Sequence, residues 1–246
     1  MQRACRILVL LVLGCVLVEP GTMSAQDRVT TFGVQVKPIF SSRFFSTNEE
    51  VVANDFLNLR VRPEGGYAFG MVIRRGISER VSFETGINYV RRVISLAFED
   101  ADSLINYSMR YRFITYEIPV QAMFYVQLGD KVWMNASGGI SMDMYASDAF
   151  SSGFENRSGV IYDFEQRTYR SNWVQISLLA NIGLEYRTKK SGYFYLGASF
   201  HRPFNDMAKV LATYRRDNIP VRATAGLSGT YLTLDLRYFF HEKPGK

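Results

Sequence analysis

The chain has 246 residues and a formal net charge of +6, from 29 lysine and arginine residues against 23 acidic ones. The charge is dispersed, so no basic run suited to nucleic acid is present. Both cysteines, Cys5 and Cys15, lie near the N-terminus, which excludes a disulfide framework for the rest of the chain. After the N-terminal region no segment approaches the ~18 continuous apolar residues of a transmembrane helix. A membrane-spanning form of this protein would therefore have to be a β-barrel.

The first 25 residues predict a secretory signal peptide. Arg3 and Arg6 precede an apolar run from residue 7 to residue 18, and small residues follow up to Ala25. Acylation of Cys15, as in a lipoprotein, is an alternative, but the apolar run continues beyond that cysteine. We expect export, cleavage after Ala25 or Ser24, and a single domain over residues 26–246.

Eight later segments alternate apolar and polar residues with period two, the pattern of strands between two different media. In chain order they are Thr31–Lys37, Tyr67–Arg74, Val81–Tyr89, Ile114–Val126, Val132–Asp143, Val174–Arg187, Phe194–His201 and Tyr231–Phe240. Short connections (75–80, 129–131 and 188–192) alternate with long ones (41–66, 91–113, 145–172 and 202–230). The sequence therefore predicts an all-β fold, an antiparallel eight-stranded transmembrane up-and-down β-barrel with short periplasmic turns and long extracellular loops.

A soluble eight-stranded barrel would alternate in the same way, with its apolar face inward. The lipid-facing version is favoured because aromatic residues lie toward the ends of the apolar face, where an interfacial girdle belongs. These residues are Tyr67, Tyr89, Tyr116, Tyr186, Tyr238 and Phe240. Pro119 lies in the middle of a strand, so we expect a bulge or an unpaired carbonyl there.

The polar face predicts an interior network of charged side chains. Its members are Lys37, Arg74, Glu84, Glu117, Asp143, Glu185, Arg187, Asp235 and Arg237. They could line a small pore or a proton path. Packing is favoured, because side chains fill the interior of an eight-stranded barrel and mixed charges can pair there.

Barrel enzymes exist, so a catalytic site must be considered. Ser199 and His201 lie two residues apart on the inward face, where they could act as nucleophile and base. Hydrogen-bonded interior residues are the favoured interpretation, since an enzyme acting on membrane lipid needs its site to face lipid. We assign no catalytic, cofactor-binding or metal-binding residue, and we expect no small-molecule cofactor.

The long connections are where function is expected. The last of them is basic and could contact lipopolysaccharide phosphates or an acidic protein, or simply be solvated. Its candidate contact residues are Arg202, Lys209, Arg215, Arg216 and Arg222. Aromatic residues in the long connections either pack these segments together or offer a partner surface; they include Phe44, Phe45, Phe150, Phe154, Tyr162, Phe164 and Tyr169.

The stretch Tyr116-Glu117-Ile118-Pro119-Val120 resembles the middle strand of the PorT-like outer-membrane barrels of Bacteroidetes. Residues 76–87, residues 192–197 and the final strand are also similar to that family. The resemblance covers the whole mature chain, but its motifs are short and structural. It implies an outer-membrane barrel without a catalytic residue, and the family's named member is an accessory of type IX secretion and gliding.

The sequence thus predicts a non-enzymatic structural or interaction barrel of the bacterial outer membrane. Its expected partners are outer-membrane lipid, lipopolysaccharide and, through the resemblance, protein secretion or gliding machinery. A cell-surface hydrolase using Ser199 and His201, and a small pore, are the alternatives.

Overall fold

The alternating segments all form antiparallel strands in a computed structural model of the chain. The structure describes residues 30–40, 50–54, 57–100, 105–157, 159–188, 191–216 and 219–240, so the predicted signal peptide, Phe44 and Phe45 lie outside it. The strands are β1 (Thr30–Phe40), β2 (Glu50–Asn54), β3 (Leu57–Ser78), β4 (Val81–Asp100), β5 (Ile105–Gln127), β6 (Val132–Tyr145), β7 (Ala149–Arg157), β8 (Val160–Arg170), β9 (Val174–Arg187), β10 (Tyr193–Pro203), β11 (Ala208–Arg216), β12 (Ile219–Leu227) and β13 (Tyr231–Phe239). In this part of the chain no helix is long and apolar enough to cross a membrane.

Eight of these strands close into a barrel, as predicted. Their order is β1-β13-β10-β9-β6-β5-β4-β3, and the pairing of β1 with β3 completes the ring. Apolar side chains such as Val36, Met71 and Leu196 are exposed on its outside, whereas Gln35 and Asn88 are buried inside. The orientation of the apolar face toward lipid and the polar face inward is therefore confirmed.

The four long connections are not simple loops, because strands occupy much of each one. The hairpins β7–β8 and β11–β12 form a separate four-stranded sheet in the order β12-β11-β8-β7. β2 pairs with the extracellular part of β3, and β3, β4 and β5 continue far beyond the aromatic girdle. The long extracellular connections were predicted, but the strands within them were not, although these segments alternate apolar and polar residues as the barrel strands do.

The extracellular parts of β2, β3, β4 and β5 form a first sheet, and the four-stranded sheet is the second. The two pack face to face around an apolar core, and we call this part of the protein the sandwich. Phe164 lies at the centre of this core, with ring centroids 5.1 Å from Phe98 and 5.5 Å from Tyr214. The first sheet contributes mainly Leu59, Val61, Ile94, Leu96, Phe98, Met109, Tyr111 and Phe113, and the second Tyr162, Phe164, Val210, Ala212, Tyr214, Ala223 and Ala225. Burial raises the pKa of the Tyr111 hydroxyl to about 12.

A β-bulge on β3 joins the barrel to the sandwich. The register between β3 and β4 shifts between Pro63 and Gly65, and Gly65 has a φ of 127°, which favours glycine. Because the bulge adds one residue, odd-numbered Leu59 and Val61 face the core above it, whereas even-numbered Ala68 and Val72 face inward below it.

No register shift accompanies Pro119 on β5. The β4–β5 ladder is interrupted between the pairs Thr85–Val120 and Asn88–Glu117, and the register is the same on both sides of the gap. Of the two expected consequences, a bulge or an unpaired carbonyl, the bulge is not formed, and the ladder beside Pro119 loses pairs.

Candidate functional site

Seven of the nine charged residues predicted for the interior form one continuous chain of ion pairs across the barrel. In order they are Lys37, Asp235, Arg237, Glu84, Arg74, Glu185 and Arg187, and positive and negative charges alternate throughout. The Lys37–Asp235 contact is 3.3 Å, the Arg74–Glu84 contact 3.1 Å, and the Arg187–Glu185 contact 2.6 Å. We call these seven residues the interior ion chain.

Aromatic side chains surround the guanidinium groups of this chain. Arg74 lies 3.9 Å from the centroid of the Phe239 ring, and Arg237 lies 4.7 Å from that of Tyr195. Arg187 lies 4.6 Å from Trp133. Cation–π contacts of this kind stabilise a cation that has lost its hydration shell. The lower barrel interior is thus filled by paired charges and rings.

The other two predicted interior residues, Glu117 and Asp143, form a separate cluster with His201. The two carboxylates are direct partners in the β5–β6 register, and His201 reaches them from β10. The His201 Nε2 atom lies 3.0 Å from an Asp143 oxygen and 3.6 Å from a Glu117 oxygen, and its ring stacks on Tyr231. All three residues are buried.

An imidazole and two carboxylates are groups that bind divalent cations. Their ligand atoms lie within 4.8 Å of one another, the only such group of three in the described part of the chain. However, hydroxyls already donate to both acids: Ser141 and Ser177 to Asp143, and Tyr231 to Glu117. The carboxylates are therefore hydrogen-bonded without a cation.

The alternative catalytic pair, Ser199 and His201, is not brought together. The Ser199 hydroxyl donates to Asp235 at 2.6 Å and accepts from the Asn181 amide at 2.8 Å. His201 lies one layer higher, against Asp143 and Glu117, because residues two apart on a strand are separated by about 7 Å. Among the described residues these two side chains have separate partners.

The candidate contact residues of the last long connection lie in two places. Lys209, Arg215 and Arg222 are on the outward face of the four-stranded sheet, where Arg215 pairs with Glu165 at 2.9 Å. Arg202 is exposed on the outside of β10, next to the lipid-facing surface. Arg216 belongs to β11, but its side chain lies outside the described part of the structure.

The aromatic residues of the long connections divide between packing and exposure. Tyr162 and Phe164 point into the sandwich core. Phe150, Phe154 and Tyr169 are on the opposite, outward face, with Phe154 72% exposed. Tyr162 and Phe164 therefore pack these connections together, whereas the exposed rings lie on the other side of the same hairpin. We call the outward surface of β7, β8, β11 and β12 the outer face.

A closed ring of lipid-facing strands with a filled polar interior defines this molecule as an outer-membrane β-barrel protein. Residues 24–209 match the family described as outer membrane protein beta-barrel domain. The chain therefore belongs to this family. No curated protein matches the chain.

Solved structures with a similar chain path include the outer membrane protein OprG from Pseudomonas aeruginosa. Its TM-score is 0.46, and the sequences are 9% identical over 87% of this chain and 98% of that one. The outer membrane protease OmpT from Escherichia coli has a TM-score of 0.35 and 11% identity over 89% and 99% of the two chains. Similarity at this level does not bear on function.

Proposed function

We propose that this protein is a non-enzymatic interaction component of the outer membrane, in which the barrel anchors the sandwich and the outer face binds a protein partner. The observation that carries this proposal is the exposed aromatic and basic composition of the outer face. Phe150 is 62% exposed, and the Arg167 guanidinium lies 5.5 Å from its ring centroid. Aromatic residues and arginine are enriched where protein partners bind.

The sandwich core does not account for these exposed rings. It is built from the inward residues of both sheets, and Phe150 and Phe154 have the opposite orientation on β7. They lie on β7, beyond the aromatic girdle of the barrel, so the hydrocarbon layer of the membrane does not cover them. An exposed apolar patch with a polar surround is typical of an interaction site.

Two features favour a binding role over catalysis or conduction. The Ser199 hydroxyl is engaged by Asp235 and Asn181, and His201 is buried beneath the sandwich. The interior ion chain occupies the space in which ions would have to pass, and separating buried charges costs several kcal/mol.

The PorT-like resemblance makes the type IX secretion and gliding machinery the partner to test first. The test is a mild-detergent pull-down of the tagged protein from outer membranes, with partners identified by mass spectrometry. We compare wild type with the double variant Phe150→Ser/Phe154→Ser. The matched control is Phe204→Ser, which changes a phenylalanine that is 66% exposed but lies outside the outer face.

Recovery of a secretion or gliding assembly with wild type and Phe204→Ser, and its loss with the double variant, would support the proposal. Recovery of the protein alone would contradict it. Equal recovery of the assembly by all three forms would place the contact elsewhere and refute the role of the outer face.

A further inference from the structure

A row of arginine residues lies on the outward surface of β3, β4 and β5, directly beyond the aromatic girdle. The girdle here consists of Tyr67, Tyr89 and Tyr116, and the Tyr89 and Tyr116 rings are 5.8 Å apart. The outward positions beyond it carry five arginines: Arg60, Arg62, Arg91, Arg110 and Arg112. We call Arg62, Arg91, Arg110 and Arg112 the arginine face.

The strand register places the arginine face at the height of lipid headgroups. Arg91 is opposite Tyr67, and Arg112 is opposite Val93 in the next outward row. Arg91 is two residues beyond Tyr89, and Arg112 is four residues beyond Tyr116. At about 3.4 Å per residue they lie roughly 7 Å past Tyr89 and roughly 14 Å past Tyr116 along the strands, and the usual tilt of about 40° reduces both heights.

Most of this positive charge is not neutralised. Arg62 and Arg112 have no ion-pair partner among the described residues, and Arg91 donates to the neutral Tyr67 hydroxyl at 3.2 Å. Arg110 pairs with Glu64 at 3.1 Å, but its side chain is 73% exposed and remains accessible.

A groove of about 850 Å³ runs beside these residues, between β5 and the start of β7. Arg110 and Arg112 line one side and Asp148 and Phe150 the other, and Glu64, Gly65 and Gly66 of β3 line it as well. Asp148 pairs with Arg170 at 3.6 Å, so it does not cancel the charge of the arginines. The groove is wide enough for a sugar headgroup.

We propose that the arginine face binds the phosphate groups of lipopolysaccharide in the outer leaflet, with Arg91 and Arg112 as the principal contacts. Guanidinium groups bind phosphate through paired, charge-assisted hydrogen bonds. The surface faces lipid at the extracellular end of the barrel, where a phosphorylated glycolipid is the adjacent molecule. This site is distinct from the basic residues of the last long connection, which lie mainly on the outer face.

The test uses the purified full chain in neutral detergent, with bound lipid measured by native mass spectrometry. The probes are bisphosphorylated lipid A, dephosphorylated lipid A and phosphatidylglycerol. We expect wild type to bind bisphosphorylated lipid A at least about tenfold more tightly than the dephosphorylated form, since removal of the phosphates removes the charge-assisted hydrogen bonds. The double variant Arg91→Gln/Arg112→Gln should lose this preference.

Two control variants make the result specific. Arg75→Gln removes an exposed arginine from the periplasmic end of β3, the strand that also carries Arg62, and should bind as wild type does. Lys209→Gln/Arg222→Gln removes two charges from the outer face and should also have no effect. Loss of binding in this second control, with binding retained in Arg91→Gln/Arg112→Gln, would overturn the proposal. Equal binding of dephosphorylated lipid A, or of phosphatidylglycerol, would overturn it as well.

Discussion

Arg237 on β13 and Glu84 on β4 form an ion pair across the barrel interior, between strands that are not neighbours in the sheet. Arg237 also pairs with Asp235 at 2.6 Å, and Glu84 accepts from Arg74 as well. The pair therefore stands in the middle of the interior ion chain and joins its two halves. Cross-barrel contacts of this kind hold opposite walls together, in addition to the hydrogen bonds between adjacent strands.

Glu84→Gln should destabilise the barrel by about 3 kcal/mol, because it leaves two buried guanidinium groups with one fewer counter-charge. The measurement is urea unfolding of the refolded protein in detergent, followed by tryptophan fluorescence. The matched control is Glu99→Gln, which breaks the half-exposed Arg60–Glu99 pair and should cost less than about 1 kcal/mol. Equal effects of the two changes would show that the interior ion chain does not stabilise the fold.

Wild-type protein in a planar bilayer should give no stepwise conductance. Ions would have to displace the interior ion chain, whose members already satisfy one another in a low-dielectric space. Single-channel recording after insertion of refolded protein tests this expectation, with a general porin as positive control for insertion. Reproducible current steps, abolished when the protein is omitted, would establish the pore alternative instead.

Chelation should leave thermal stability unchanged, because hydroxyls of Ser141, Ser177 and Tyr231 already donate to the carboxylates of the Asp143–Glu117–His201 cluster. The check is the unfolding temperature with and without EDTA. A fall that one divalent metal reverses in wild type, but not in His201→Gln, would identify the cluster as a metal centre.

The barrel could be predicted from the sequence because a lipid-spanning strand has one apolar and one polar face, as in Leu234, Asp235 and Leu236. The alternation of residues along each strand was then enough to assign the charged residues to the interior face. Contacts between strands that are not neighbours could not be predicted, and the ring places β10 beside neither β5 nor β6. His201 was therefore not grouped with Glu117 and Asp143, although register could have paired those two acids.

The sandwich was missed although its strands alternate too. On β4 the inward residues change from Glu84 and Asn88 in the barrel to Ile94, Leu96 and Phe98 above it. The inward face thus changes from polar to apolar where the strand leaves the membrane, since the outside is lipid below and water above. A sequence pattern that requires the inward face to stay polar therefore ends each predicted strand where the inward residues become apolar.

Gly65→Val should destabilise the junction between barrel and sandwich by about 1–3 kcal/mol, because a side chain is strained at this φ. A Cβ atom at Gly65 would also lie 2.9 Å from the Ile39 carbonyl oxygen. Urea unfolding compares it with Gly129→Val, in a periplasmic turn where a Cβ meets nothing within 4 Å. An unchanged midpoint for Gly65→Val would mean that the bulge relaxes without cost.

Phe98→Ala should unfold the sandwich while the barrel remains intact. Phe98 is fully buried against Phe164, and removing such a ring from a core costs about 3–5 kcal/mol. The barrel does not depend on this core, because its strands close through their own ladder and the interior ion chain.

Limited proteolysis of intact cells tests whether the sandwich unfolds while the barrel stays folded, since only extracellular segments are accessible. We expect cleavage within residues 149–170 or 208–227 in Phe98→Ala, with the heat-dependent gel shift of a folded barrel retained. Phe154→Ala, which removes an exposed ring from the same sandwich, should resist protease as wild type does. If Phe98→Ala instead abolishes the gel shift, then barrel and sandwich unfold as one unit, and the sandwich is required for the stability of the barrel.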